Sequence, residues 1–194
     1  AVTDIIATGI YERTLLAIAS GVEKNSSHPL AEAVVRKAES EGVRPEDTAE
    51  FTTFGGKGVF ARVLGEEVYI GNRTLMAERG VGIPPELDSQ VTALERDGKT
   101  GFIVSVAGTP AGIIAVADAI KATTPDAIRE LEAMGLSVAI ITGDNQRTAA
   151  AVARQVGIRT VISEVLPEDK AREVEALQKA GGVVAFVGDG INDA

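Results

Sequence analysis

The sequence predicts an α/β protein in two parts: an α+β first part with helices on an antiparallel sheet, and a second part on a parallel sheet. The first observation is the spacing before Asp118, where β-like stretches at 48–54, 58–64 and 67–71 follow one another closely and helical segments flank them. The second is the change of rhythm after Asp118. From there helices and strands alternate, and such alternation makes βαβ units and a parallel sheet. The third is composition: 45% of the 194 residues are apolar, aromatics make up 4%, and alanine, valine and glycine are abundant. The boundary falls between 1–117 and 118–194.

The elements follow in order. A short strand at 2–8 precedes an amphipathic helix from Glu12 to Val22. A second helix starts at His28-Pro29, proline suiting the first helical turn, and runs to Ser40. After the three β-like stretches, with a hairpin turn expected at Gly65-Glu66, come helices at 72–79 and 85–97. Strands Gly101–Ala107 and Ala111–Ala117 flank a turn at Gly108-Thr109-Pro110. In the second part a helix at 123–134 leads to the strand Ser137–Ile141, a helix at 146–156, the strand Thr160–Ile162, a helix at 168–180 and the strand Val183–Val187.

Composition excludes several classes of function. A net charge of −9 argues against a general nucleic-acid binder. With no cysteine there are no disulfides, thiolate metal sites or cysteine nucleophiles. No apolar run reaches the roughly 18–20 residues needed to span a bilayer, and no signal peptide is visible. The sequence starts within a strand and stops on a motif, so both ends are expected to be cuts.

Ligands of parallel α/β sheets sit at the carboxyl ends of the strands. That rule selects Thr142-Gly143-Asp144, Pro167-Glu168-Asp169-Lys170, and Gly188-Asp189-Gly190-Ile191-Asn192-Asp193. Thr142 offers a hydroxyl, and the Gly143 turn leads to a helix start whose N–H groups can hold a phosphoryl oxygen. Lys170 lies near a helix N-terminus, where the dipole disfavours a cation unless an anion is close. Asp189 offers a hard oxygen ligand for magnesium, with Asn192 and Asp193 bracing the loop or its waters. Each stretch singly also reads as an ordinary turn, with Asp144 or Asn145 as a helix cap. In the first part, Glu23 and His28 flank a helix boundary, and Gly55-Gly56-Lys57-Gly58 and Gly71-Asn72 follow β-like stretches. Glycines there permit close backbone approach to a ligand. A lone histidine at a helix start also serves as a cap or packing residue.

The Thr142-Gly143-Asp144-Asn145, Pro167-Glu168-Asp169-Lys170 and Gly188–Ala194 stretches resemble the later phosphorylation-domain motifs of P-type ATPases, a branch of the haloacid-dehalogenase-like fold. Asp118-Ala119-Ile120-Lys121 resembles the hinge segment before them. Glu23, His28, Gly56, Gly58, Gly71 and Asn72 match the nucleotide-binding domain of the heavy-metal branch, although Ser27 stands where relatives often carry an acid. The resemblance implies that 1–117 is a nucleotide-binding domain and 118–194 part of a Rossmann-type phosphorylation domain. It implies ATP and Mg2+ as cofactors, with Glu23, His28 and the glycines around adenine. Thr142, Gly143, Asp144 and Lys170 would surround the phosphoryl group, and Asp189 and Asp193 the metal.

The family's nucleophile, the aspartate of an Asp-Lys-Thr-Gly-Thr motif, has no counterpart in the sequence and is expected just upstream of Ala1. Asp118 follows an apolar run but lacks the threonine and second aspartate expected after a nucleophile. The implied parent sits in a membrane with this part on its cytoplasmic face. It partners with transmembrane and actuator domains and moves a heavy metal ion. The run Glu164–Ala171 with Leu177-Gln178 favours Cu(+) over zinc or cadmium. A soluble haloacid-dehalogenase-like phosphatase, or a nucleotide-binding module without chemistry, are the alternatives.

Overall fold

The structure is a computed structural model, and it describes residues 1–26, 29–179 and 182–188. The chain divides into two compact units, Ala1–Ala119 and Ile120–Ala194.

The first unit is built on a six-stranded sheet. Its strands are β1 (Val2–Ala7), β2 (Thr48–Phe54), β3 (Gly58–Val63), β4 (Glu66–Gly71), β5 (Thr100–Val106) and β6 (Thr109–Val116). They lie in the order β1-β6-β5-β4-β3-β2, every neighbouring pair antiparallel. Helices α1 (Glu12–Glu23) and α2 (Pro29–Ser40) are followed in the chain by α3 (Arg73–Glu78) and α4 (Pro85–Arg96).

The sheet separates two apolar cores. Leu15, Leu16 and Val22 of α1 and Val34 of α2 pack with Val59, Val68, Val104 and Ile114. Met76 of α3 and Leu87, Val91 and Leu94 of α4 pack with Ile103 and Ile113. Ile113 and Ile114, adjacent in β6, therefore enter different cores, as the period-2 alternation of a strand requires. Each fully buried Leu or Ile contributes about 1.5–3 kcal/mol by leaving water. Gly112 beside them is obligatory for space: a Cβ there would lie 2.3 Å from the Ile6 carbonyl oxygen and 2.6 Å from Leu15 Cδ2.

Both tight hairpins shift from the expected turns. Val63 pairs with Glu66, which makes Leu64-Gly65 the two-residue loop and puts Glu66 in β4. Val106 pairs with Thr109, so Ala107-Gly108 is the second loop, and Thr109 and Pro110 belong to β6. In both loops the two residues have positive φ: 52° and 88°, then 49° and 75°. That is the turn whose twist matches the flanking strands, with glycine at its second position. Leucine and alanine in the first position obscure the signal in the sequence.

The second unit contains α5 (Thr124–Ala133), β7 (Ala139–Ile141), α6 (Gln146–Val156), β8 (Thr160–Ile162), a 3-10 turn at Pro167–Asp169 and α7 (Lys170–Lys179). Strands β7 and β8 pair in parallel, with Ile140 opposite Val161. Helix α6 between them is the crossover, and Ala149, Ala151, Ala153 and Val156 are its buried stripe. It ends at Gly157, φ 86°, with the Ile158 N–H donating to the Ala153 carbonyl at 2.9 Å.

The strand expected at Val183–Val187 does not form: residues 182–188 carry no regular secondary structure. A strand exists by pairing, and this run pairs with neither β7 nor β8. Val183 and Val187 are accordingly almost fully exposed, while Val184 is partly buried.

Candidate functional site

In the first unit, the loop between β2 and β3 and the junction of β4 with α3 are bound together. Gly58 and Gly71 face each other in register. A Cβ on Gly58 would stand 2.1 Å from the Ile70 carbonyl oxygen, and one on Gly71 would stand 2.2 Å from that of Lys57. The Leu75 side chain presses on both. The two glycines thus have a packing reason of their own, the close approach of two strands and a helix. Asn72 is the N-cap of α3: its Oδ1 accepts from the Leu75 N–H at 3.1 Å. Its Nδ2 donates to the Gly56 carbonyl at 3.1 Å, and its backbone N–H to that of Lys57 at 2.9 Å. Gly56, at φ 67°, turns this loop. Four of the predicted residues, Gly56, Gly58, Gly71 and Asn72, are therefore brought together.

Glu23 is the last residue of α1. It is half-buried, and burial pushes its carboxyl up to about 7. Beside it Asn25 closes the helix, donating from Nδ2 to the carbonyls of Gly21 and Val22 and to Thr48 Oγ1. His28 lies outside the described residues. A cavity of about 290 Å³ exists elsewhere in the unit, between β1 and Glu12, Arg13, Lys37 and Glu41. None of the described residues selected from sequence lines it.

In the second unit the turn after β7 is organised by Thr142. Its hydroxyl donates to Asp144 Oδ2 at 2.9 Å and accepts from the Asp144 N–H at 3.1 Å. Asn145, not Asp144, caps α6, its Oδ1 accepting from the N–H groups of Arg147 and Thr148 at 3.0 and 3.1 Å. Asp144 is thereby left to the strand end rather than to the helix. The turn is stitched to the segment after β8: Val165 N–H donates to the Thr142 carbonyl at 3.1 Å and Glu164 N–H to that of Asp144 at 2.9 Å. That segment continues through the 3-10 turn into Lys170, the first residue of α7. The first selected stretch is thus bonded to Glu164 and Val165, which lie three and two residues before the second, Pro167–Lys170. The third, with Asp189 and Asp193, lies outside the described residues. Among the described residues no three side chains of His, Cys, Asp or Glu group to hold a metal.

Sequence reasoning missed Arg73. Its guanidinium reaches Asp88 Oδ1 and Glu95 Oε1, each at 2.5 Å, and Thr92 Oγ1 at 2.9 Å. Its partners stand 15 to 22 positions along the chain, and only its place directly after Gly71-Asn72 marked it.

A family model described as a haloacid dehalogenase-like hydrolase matches residues 1–194. The copper-exporting P-type ATPase of Staphylococcus aureus (strain MRSA252) is 45% identical over 183 residues, 94% of this chain and 23% of the relative. The chain thus spans under a quarter of the length of such relatives. A zinc-transporting PIB-type ATPase in the E2.Pi state is similar at 37% identity and a TM-score of 0.63, over 99% of this chain and 31% of that one. The catalytic domain of the CPx-ATPase CopB-B gives 26% identity and a TM-score of 0.72, over 99% and 66%. The N-domain of HMA8, a copper-transporting P-type ATPase, matches 60% of this chain and 99% of its own length, at 29% identity and a TM-score of 0.53. The parallel unit with Thr142 at its strand end agrees with the family match along the whole chain: the chain belongs to the haloacid dehalogenase-like hydrolases.

Proposed function

We propose that the chain is the ATP-handling part of a heavy-metal-exporting P-type ATPase, with Cu(+) as the transported ion. Residues 1–117 act as the nucleotide-binding domain and 118–194 as part of the phosphorylation domain. The choice of copper is supported by the 45% identity to copper-exporting relatives over 94% of this chain. Among the described residues no helix is long and apolar enough to cross a membrane. The transmembrane and actuator domains, the metal pathway and the cytoplasmic-face location belong to the proposed parent.

The observation that carries the nucleotide assignment is Glu23. A half-buried carboxyl held near 7 is costly to the fold, and perturbed acids of this kind mark binding sites. Protonated, it both donates and accepts, which matches the donor–acceptor edge of adenine. Together with His28 it would grip the base, while Gly56, Gly58, Gly71 and Asn72 shape the adjoining wall.

In the second unit the Thr142 hydroxyl and the Lys170 ammonium are the groups for a phosphoryl oxygen, one as a short donor and the other as a point charge. The hydroxyl's one proton now goes to Asp144 Oδ2, so the hydroxyl must turn away from Asp144 to donate to the phosphoryl group. Magnesium, when bound, would neutralise charge on the phosphoryl group, and Asp189 and Asp193 are the proposed ligands. The accepting aspartate would come from the parent, since the sequence contains no Asp-Lys-Thr-Gly-Thr.

The test is titration with a non-hydrolysable ATP analogue, followed by amide NMR. Shifts at Glu23 and through Gly56–Asn72 are expected. Shifts confined to residues after Ile120 would overturn the assignment of the first unit.

A further inference from the structure

We propose that Arg73 is a positioning residue for the nucleotide site, holding the Gly71-Asn72 corner and, through Asn72, the Gly56 turn. The inference rests on the nucleotide reading of that corner.

Helix α3 has six residues, too few to persist by its own hydrogen bonds. Three things hold it. Leu75 and Met76 are fully buried, and Asn72 caps its start. The third is Arg73, the first helical residue, whose guanidinium is spread over α4. It bonds Asp88 Oδ1, the Asp88 carbonyl at 3.4 Å, Thr92 Oγ1 and Glu95 Oε1. Glu95 is 3% exposed and Asp88 is half-exposed, so the cation spans from the interior to the surface. A planar fork with several fixed donors fixes orientation as well as distance.

That orientation passes directly to the ligand wall. Asn72 precedes Arg73, and its side chain must reach back to Gly56 while capping Leu75. A rotation of the first turn of α3 would break one of those two bonds. It would also move Leu75 off Gly58 and Gly71, where there is no spare room. Among the described residues the Arg73 guanidinium hydrogen-bonds α4 and none of the proposed ligand-contacting side chains. It acts through Asn72 and the glycines. Lysine at this position can satisfy one acid but cannot fork across three partners.

The experiment uses the whole chain with an ATP analogue, by calorimetry at low temperature. Titration of the parent chain comes first, and no binding there would overturn the nucleotide reading itself. Given binding by the parent, Arg73→Lys should raise Kd by about tenfold at a temperature where the variant is fully folded. The amide resonances of Gly56 and Asn72 should shift in the ligand-free variant. Arg62→Lys, which alters an ion pair to Glu50 and Glu67 on the same sheet, is the control and should leave Kd unchanged. A purely stabilising role predicts a lower melting temperature with Kd and both amides unmoved, and that result overturns the proposal. Should Arg73→Lys fail to fold, Asp88→Ala removes the outer side-chain arm while keeping Glu95 paired. A Kd raised about threefold in that variant supports the proposal, and an unchanged Kd overturns it.

Discussion

Replacing Glu23 with glutamine should stabilise the antiparallel unit near and above neutral pH and leave it unchanged in acid. The glutamine keeps the shape and hydrogen-bonding edge of the protonated acid and removes the charge. In the folded chain the carboxyl titrates at about 7, against an ordinary 4.5, because burial penalises the anion. The folded value is the higher one. Below about pH 4 both states hold the proton, and the residue is neutral in the balance. Between the two values the unfolded chain releases its proton while the folded one retains it, so stability falls as pH rises. The loss is complete above the folded value and amounts to at most about 3 kcal/mol. Residual solvent at this half-buried position lowers that ceiling. For a unit of this size the ceiling corresponds to roughly 10 °C in melting temperature. The assay is intrinsic: the chain has no tryptophan and two tyrosines, Tyr11 and Tyr69, both in the first unit. Tyrosine fluorescence therefore reports that unit alone. Melts of parent and variant should coincide near pH 4 and separate towards pH 8, the variant being higher. Curves that stay parallel across the range, or a variant that melts lower at pH 8, would refute the burial argument.

Gly58→Ala should be severely destabilising, by more than about 3 kcal/mol, because the new methyl would meet backbone rather than a movable side chain; tyrosine-detected denaturation checks this. Asn145→Ala should cost the second unit about 1 kcal/mol through loss of the α6 cap, read by circular dichroism after the first unit's signal is subtracted. His28→Ala should weaken ATP-analogue binding in calorimetry without changing the tyrosine-detected melt. In the intact parent, Asp189→Asn should slow phosphoenzyme formation strongly while leaving ATP affinity nearly intact. Near-normal phosphorylation would remove Asp189 from the proposed metal site.

The residues announced α6 plainly: apolar positions at helical spacing, Asn145 before them and Gly157 after. The same holds for β3 to β6, where alternating or continuous apolar runs lie between glycines. The hairpin loops were placed one or two residues late because Leu64 and Ala107 are not residues that advertise a positive φ. The run 183–187 was misread for a different reason. Apolar content reports a wish to be buried, while strand geometry needs a hydrogen-bonding neighbour, which no local window can supply. Around the candidate site, Gly58 and Gly71 stood out, but their crowding against Leu75 and opposing backbone was invisible until the strands were paired. Arg73 was illegible because its partners belong to a helix assembled only by the fold.

The double-faced sheet has one further consequence, at β6. Its Ala111–Val116 stretch is apolar towards both cores, so a slip by one residue would exchange one greasy face for another at little cost in burial. Ordinary amphipathic strands are kept in line by the penalty of drowning a polar side chain, and that penalty is missing here. Alignment must instead be read sterically. Gly112 is the notch in the key: only it passes the Ile6 carbonyl, and either neighbour slid into its slot would bring a Cβ into backbone. Enlarging Gly112 should accordingly favour misaligned, slowly interconverting pairings of β6 with β1 rather than a clean loss of structure. A strand greased on both sides needs one missing side chain to know where to stop.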